Sequence, residues 1–161
     1  MKRSTGKSHC PINFGLEAFG DPWSLLVVRD IVYFGKRTFS EFSASEERIA
    51  PSVLSARLAY LEQRDVLSRL PDAGDARKMS YRLTETGLAL IPILLEIAAW
   101  SARVDPDTDA PAEWIGLVEA DKPRITQLII DVVRGGGSIF AGEDSVVARL
   151  AAESAGSSSR G

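Results

Sequence analysis

Three polar side chains in the segment 51–64 are of types that can bind nucleic acid. Ser52, Ser55 and Arg57 lie off the apolar stripe that the same segment would bury. That stripe consists of Leu54, Leu58 and Leu61. A helix that buries one side and offers hydroxyls and a guanidinium on the other can enter a DNA groove, where such groups contact base edges and phosphates. The segment therefore predicts DNA contacts by these three side chains. For Arg57, an ion pair with Glu62 or Asp65 is the alternative.

Two adjacent cations follow in a turn-rich segment. Arg77 and Lys78 end the stretch 71–78, which lies between two β-like runs at 66–70 and 79–83. Such a pattern predicts a β-hairpin. A hairpin with a basic tip is typical of a wing that contacts phosphate or the minor groove. A solvated surface charge without a DNA contact is the alternative.

A second short helix must stand before the segment 51–64 to position it. Thr38 and Glu41 have the spacing of a capping box, which predicts a helix start, and residues 46–50 form a turn. Two short helices joined by a turn, the second with exposed polar groups, are typical of a helix-turn-helix. Thr38 also lies where the amino end of its helix could hold a phosphate. Capping alone explains this residue equally well.

The remaining elements up to residue 104 are predicted to be helical. A helix is expected at 12–19, and Asp21 and Pro22 start another that is apolar on nearly every side through Phe34. After the hairpin, Thr84 caps a long apolar helix to about residue 103, which Pro92 is expected to bend. The predicted fold is mainly α with a small β-hairpin: a winged helix-turn-helix DNA-binding domain.

The chain from residue 105 onward differs in character from the part before it. An acidic, proline-containing linker is predicted at 105–111, then helices at 113–119 and 124–134 that Pro123 separates, and a weak helix at 143–153. We expect three parts: a winged helix-turn-helix domain at 1–104 that includes the long helix, an acidic helical extension at 105–153, and a disordered tail at 154–161.

Composition excludes several classes of function. The 161 residues are 45% hydrophobic and 25% charged, with a net charge of −3. His9 and Cys10 are the only residues of their kinds, which leaves little from which to build a zinc centre or a Ser-His-Asp triad. No apolar run approaches the roughly 18 residues of a membrane span, and no secretory signal is evident. We expect a cytoplasmic protein that is not an enzyme, binds no metal or cofactor, and does not associate with a membrane.

Five sequence blocks, in this order and spacing, resemble one family of regulators. The blocks are Cys10-Pro11, 20–30 (GDPWSLLVVRD), 37–42 (RTFSEF), 49–58 (IAPSVLSARL) and 81–87 (YRLTETG). They are similar to HxlR-type winged helix-turn-helix transcriptional regulators of the MarR-like group. The resemblance implies a homodimer that binds double-stranded DNA at a palindromic operator and dimerises through its terminal helices. We expect a repressor. Ala50 departs from the capping side chain favoured before Pro51, and residues from 105 onward lie beyond the usual core of the family.

Cys10 matches a cysteine that resembles a redox or electrophile sensor in some members of this family. A thiol becomes reactive when positive neighbours or a helix amino terminus lower its pKa, and Lys7 and His9 are near in sequence. Packing at the dimer interface is the alternative. The regulator is therefore expected to respond to a redox signal or a small molecule, for which Trp100 and Trp114 could line a pocket. A winged-helix protein-interaction module without DNA binding is the alternative function.

Overall fold

A computed structural model describes residues 8–71 and 78–158 of the chain. The predicted fold class is confirmed: the described residues are mostly helical, with one two-stranded antiparallel hairpin. The elements in chain order are α1 (Pro11–Phe19), α2 (Ser24–Phe34), α3 (Phe39–Ser43), α4 (Pro51–Gln63), β1 (Leu67–Pro71), β2 (Met79–Leu83), α5 (Glu85–Leu88), α6 (Ile91–Val104), α7 (Ala112–Ala120), α8 (Lys122–Arg134) and α9 (Val146–Ser158).

The start of α2 is fixed by the predicted cap. Oδ1 of Asp21 accepts hydrogen bonds from the backbone N–H groups of Trp23 at 2.9 Å and Ser24 at 3.0 Å. These bonds satisfy donors that have no partner within the helix. Farther along α2, Val28, Ile31 and Val32 are fully buried, as the all-round apolar sequence predicted.

Helices α3 and α4 form the predicted helix-turn-helix. The capping box is present: the Thr38 hydroxyl accepts from the backbone N–H of Glu41, and the Glu41 carboxylate accepts from the backbone N–H of Thr38. Helix α4 buries the predicted stripe of three leucines. Ala50 stands at its N-cap without a side-chain hydrogen bond, and Pro51 occupies the first turn. The missing cap inferred from the sequence is therefore confirmed.

The hairpin has the predicted strands in antiparallel register, from Leu67 opposite Leu83 to Pro71 opposite Met79. An isolated bridge pairs Thr38 with Ser80, so the residue that caps α3 also borders β2. The hairpin tip at 72–77, with Arg77, lies outside the described residues.

The long helix expected after the hairpin is two helices. Thr84 is a cap, because its hydroxyl accepts from the backbone N–H of Gly87 at 3.1 Å, but α5 ends at Leu88 and α6 begins at Ile91. Pro92 does not bend a helix interior; it lies in the first turn of α6, where a missing N–H costs no hydrogen bond. The two helices expected around Pro123 are present as α7 and α8, and Pro123 itself lies in the first turn of α8.

One helical segment among the described residues, Glu85–Val104, is long and apolar enough by length and composition to cross a membrane. Counting uninterrupted apolar runs missed it, because Glu96 and Arg103 interrupt the sequence. Length and composition alone are weak evidence, since the core helix of a globular domain passes the same test.

The chain divides into two compact units: residues up to Ile31 together with Lys36–Gly87, and Val32–Gly35 together with residues from Leu88 onward. The first holds the helix-turn-helix and the hairpin, and the second holds α6 to α9. The boundary expected at residues 104 and 105 falls inside the second unit; that it separates independently folding parts stays a prediction. Helix α9 continues to Ser158, past residue 153 where a helix was expected to end. Disorder of the tail at 154–161 stays a prediction.

Candidate nucleic-acid interface

Helix α4 presents one buried face and one open face. Leu54, Leu58 and Leu61 are at most 1% exposed, whereas Ser52 and Ser55 are exposed, as predicted. The small residues Ala56 and Ala59 extend the open face along the helix. Short side chains let the backbone approach a groove closely, and the two hydroxyls can donate to or accept from base edges.

Arg57 lies at the border of this face and is engaged within the domain. Its Nη1 donates to Oδ2 of Asp21 at 3.0 Å, so the predicted ion-pair partners Glu62 and Asp65 are wrong. Its guanidinium carbon lies 5.0 Å from the centroid of the Tyr60 ring. This geometry favours a structural role for Arg57, and its DNA contact remains a prediction.

Tyr60 connects α4 to α1. Its hydroxyl donates to the backbone carbonyl of Glu17 at 2.5 Å, and the guanidinium carbon of Arg64 also lies 5.0 Å from its ring centroid. With Arg57 on the same ring, Tyr60 holds two cations beside the helix. Tyr60 is therefore a packing residue in this structure, and it orients the end of α4.

Thr38 is occupied by capping. Its hydroxyl donates to the Glu41 carboxylate at 2.8 Å, and the same carboxylate oxygen accepts from the backbone N–H groups of Arg37 and Thr38. Burial raises the pKa of Glu41, but these hydrogen bonds outweigh it and leave the pKa below its usual range. A carboxylate thus already sits at this helix start, which favours the capping explanation; a phosphate contact stays a prediction.

A buried carboxylate that the sequence analysis missed anchors the turn between α3 and α4. Asp30 of α2 is 3% exposed, and its oxygens accept from Ser45 Oγ, from Lys36 Nζ at 3.1 Å and from Arg29 Nη2 at 2.7 Å. Arg29 also binds Glu47 in the same turn. An aspartate inside an otherwise apolar helix is the signal that could have indicated this network, because buried charges require partners.

Cations on the hairpin extend the candidate surface. Lys78, Arg69 and Arg82 are exposed, whereas the predicted partner Arg77 lies outside the described residues. Burial, together with the nearby charge of Arg82, lowers the pKa of Arg37 on the adjacent segment. The charge of Glu41 opposes this shift, so Arg37 lies between a like and an opposite charge beside α3.

The candidates for a redox or ligand site, Cys10, Trp100 and Trp114, lie outside the helix-turn-helix. Cys10 is exposed and stands at the N-cap of α1, before Pro11. Trp100 is 59% exposed on α6, whereas Trp114 is buried on α7 and packs edge-on against the ring of Phe140 at 5.4 Å. Among residues 8–71 and 78–158, no group of three His, Cys, Asp or Glu side chains is placed to hold a metal ion.

A family model described as HxlR-like helix-turn-helix matches residues 18–108, which span α2 to α6 and the hairpin. The chain belongs to this family. The HxlR-type resemblance inferred from five sequence blocks is thereby confirmed. The matched region is the DNA-binding winged helix-turn-helix of a transcriptional regulator.

Three relatives illustrate the match. MT3179, an HTH-type transcriptional regulator of Mycobacterium tuberculosis, is 32% identical over 96 residues, which are 60% of this chain and 60% of that protein. YodB, an HTH-type transcriptional regulator of Bacillus subtilis, is 29% identical over 109 residues, covering 67% of this chain and 96% of YodB. The structure of reduced YodB superimposes with a TM-score of 0.50 at 27% identity, covering 63% of this chain and 100% of that one.

The third relative is the redox regulator HypR in its oxidised form, with a TM-score of 0.53 at 29% identity, covering 58% of this chain and 96% of HypR. This chain therefore spans nearly all of YodB and HypR but 60% of the length of MT3179.

Proposed function

We propose that the protein is a homodimeric repressor of transcription that acts in the cytoplasm on a palindromic operator. The observation that carries the proposal is the open face of α4, where Ser52 and Ser55 are exposed while the opposite leucines are buried. In a dimer, two such helices enter successive major grooves about 34 Å apart, and the hairpins contact the flanking backbone. Bound at a promoter, the dimer would block polymerase without any catalytic step.

DNA binding is tested by fluorescence anisotropy with the upstream region of the protein's own gene and with random DNA of equal length. We expect tighter binding to the upstream region and an affinity that falls steeply with salt. Lys78→Ala should reduce the salt slope by about one, because one phosphate contact is lost. Arg149→Ala removes a charge of the same sign from α9, away from the seam of α6, and should leave the slope unchanged. Absence of any salt-sensitive preference would contradict the proposal.

The rival function, a protein-interaction module without DNA binding, predicts a different result. Under that function, alanine at both Arg77 and Lys78 leaves regulation intact. A footprint of the protein on the promoter, lost in the double variant together with repression of a reporter gene, favours the DNA-binding repressor.

Dimerisation is supported by an apolar seam on α6. Ile97, Trp100 and Val104 are 44%, 59% and 61% exposed, and Ile93 lies one turn before them. These positions are spaced by four, three and four residues, the spacing of a helix-pairing seam. Glu96 and Arg103, which flank it, are paired within the chain with Lys122 and Glu119 and leave the seam itself apolar. An antiparallel second copy would place Ile97 against Trp100 and Ile93 against Val104.

Helix α1 offers a second apolar surface, since Ile12 and Leu16 are 70% and 61% exposed one turn apart.

Light scattering after gel filtration should give the mass of a dimer for the wild type and of a monomer for Trp100→Glu. Leu117→Glu, which places the same charge at an exposed apolar residue of α7, should remain dimeric. A monomeric wild type at micromolar concentration would contradict the proposal.

A redox input is supported by Cys10 and by the relatives. The thiol is exposed at the N-cap of α1, and YodB and HypR are described in reduced or oxidised forms. Oxidation would form a disulfide between two subunits or with a small thiol. We expect an oxidant to alter operator binding by the wild type and not by Cys10→Ser. Equal responses would exclude the thiol and leave packing as its role.

A small-molecule effector is the other input we propose. An open groove of about 370 Å³ lies along α6, lined by Pro92, Ile93, Glu96, Ile97 and Trp100. It shares Ile93, Ile97 and Trp100 with the apolar seam, so a compound bound there would compete with the second copy. Trp114 is buried and is not among these residues. Quenching of tryptophan fluorescence by a bound compound, lost in Trp100→Phe, would support the groove as the site.

A further inference from the structure

A turn in the C-terminal region covers the carboxyl end of helix α2. We call residues 138–140 the docking turn. The backbone N–H of Ile139 donates to the carbonyl of Val32 at 2.8 Å, and that of Phe140 donates to the carbonyl of Tyr33 at 3.0 Å. The last carbonyl groups of a helix accept no hydrogen bond from the helix itself. These two bonds therefore satisfy carbonyls that water would otherwise solvate.

Side chains hold the docking turn against the end of α2. Ile139 is fully buried, and the ring of Phe140 lies 5.8 Å from that of Tyr33 and 5.4 Å from that of Trp114. The hydroxyl of Ser138 closes the turn, because it donates to the carbonyl of Ala141 and accepts from its N–H, both at 2.9 Å. The turn is thus a defined structure with polar and apolar anchors.

Two features bear on the stability of the docked arrangement, one for it and one against it. A Cβ at Gly137 would lie 2.7 Å from Cγ1 of Val132, so any larger residue at this position would clash with the Val132 side chain. Nε1 of Trp114 is buried and has no hydrogen-bond partner among the described residues. An unpaired buried donor opposes the docked state, so its stability margin is reduced by that group.

Helix α2 is continuous from Ser24 to Phe34, and its last turn carries the anchor of the helix-turn-helix. Asp30 lies one helical turn before Phe34; its carboxylate holds Lys36 and Ser45, and its carbonyl accepts from the backbone N–H of Lys36 at 3.1 Å. Fraying of this turn would release the carboxylate from its place, because helix ends without caps open first.

We propose that the docking turn is a regulatory contact: while it caps α2, Asp30 holds the turn between α3 and α4 in the arrangement that binds DNA, and undocking weakens operator binding. The C-terminal extension thereby controls how tightly the regulator binds its operator. The effect on the operator rests on the proposed function, whereas the effect on the helix-turn-helix itself does not.

Hydrogen exchange of the full-length protein tests the coupling without DNA. Ser138→Ala removes both bonds that close the turn, and Ser154→Ala, at an exposed serine of α9, is the matched control. In Ser138→Ala we expect faster exchange at the amides of Ile139 and Phe140 and also at those of Lys36, Ser45 and Arg48. Faster exchange at the first pair with unchanged exchange at the other three overturns the proposal.

Phe140→Ala provides a second variant with a larger effect, and Leu117→Ala, at an exposed apolar residue, is its control. If Ser138→Ala leaves Ile139 and Phe140 unchanged, Phe140→Ala supplies the undocked state, and the same three amides decide. Operator affinity should fall at least about fivefold in the undocked variant, the lower end of typical allosteric coupling. A wild type that binds no operator would defeat the proposed function, and the exchange data would still decide the coupling. Unchanged affinity in an undocked variant overturns the regulatory role.

Discussion

Nη1 of Arg57 in α4 lies 3.0 Å from Oδ2 of Asp21, the residue that caps α2. Burial raises the pKa of this carboxyl, but hydrogen bonds from Ser24 and from the backbone, together with the charge of Arg57, outweigh it and keep the pKa below its usual range. The pair therefore joins α4 to the start of α2. We accordingly expect base contacts from the open face of α4 and not from Arg57.

Replacement of Arg57 should affect stability first. Arg57→Ala removes the ion pair and the contact with the Tyr60 ring, and we expect the free energy of unfolding to fall by about 1–2 kcal/mol. In an Asp21→Asn background, which retains a capping side chain, the same change should cost less. Urea denaturation of the four proteins of this cycle measures the coupling. Normal stability with lost DNA binding would indicate instead that Arg57 contacts the operator.

Replacement of Ser52 or Ser55 should affect specificity and not stability. Both side chains are exposed, so Ser52→Ala and Ser55→Ala should leave the melting temperature unchanged. Each lost base contact should reduce the preference for operator over random DNA by about 1 kcal/mol, or roughly fivefold. Competition binding measures this preference, with Ser154→Ala as the control. A uniform loss on both DNAs would assign the serines to phosphate.

Acid should destabilise the first unit through Glu47. A hydrogen bond from Arg29 lowers the pKa of Glu47 to about 2 in the folded protein. Because the folded pKa lies below the unfolded one, this contribution is present above about pH 4.5 and is lost as pH falls toward 2. Thermal melts of Glu47→Gln should show lower stability at pH 7 and a smaller loss between pH 5 and 3. The difference at pH 7 should be at most about 1 kcal/mol, since the pair is partly exposed. Parallel pH curves for the two proteins would refute the assignment.

The uncapped start of α4 offers a stabilising substitution. Ala50 has extended backbone angles (φ −59°, ψ 137°) and no side-chain bond to the first turn. Ala50→Ser should add one capping hydrogen bond and about 1 kcal/mol to the free energy of unfolding. Ala59→Ser, at an exposed position inside the same helix, should be neutral or slightly destabilising. Calorimetry distinguishes the two, and equal melting temperatures would mean that the cap does not form.

Local signals in the sequence were sufficient for the elements of the first unit. The capping box at Thr38 and Glu41, the leucine stripe of α4 and the turn-rich segment before Lys78 each act within a few residues. The partners of Arg57 and Asp30 were not predictable in this way. Asp21 is 36 residues from Arg57, and Ser45 is 15 residues from Asp30, so only the folded chain brings them together.

The prolines also show what the sequence alone could not predict, in this case the residue at which a helix begins. Pro92 was expected to bend a helix interior, yet it stands in the first turn of α6. Pro123 was expected to separate two helices, and it stands in the first turn of the second. Proline is compatible with a helix start and incompatible with a helix interior, and the sequence around it does not state which applies. The residue at which each helix begins is set by the packing of α6 and α8. The buried residues there include Leu94, Leu95, Ile125 and Ile129.

The two faces of α4 are under different constraints, because one packs in the core and the other is proposed to contact the operator. Leu54, Leu58 and Leu61 are needed for packing, whereas Ser52 and Ser55 make no contribution to the core. After a gene duplication, the exposed positions can therefore change while both copies remain folded. With base contacts at these positions, as proposed, paralogues of this protein would diverge in the promoters they control through very few substitutions, and retargeting the regulator by design would begin there.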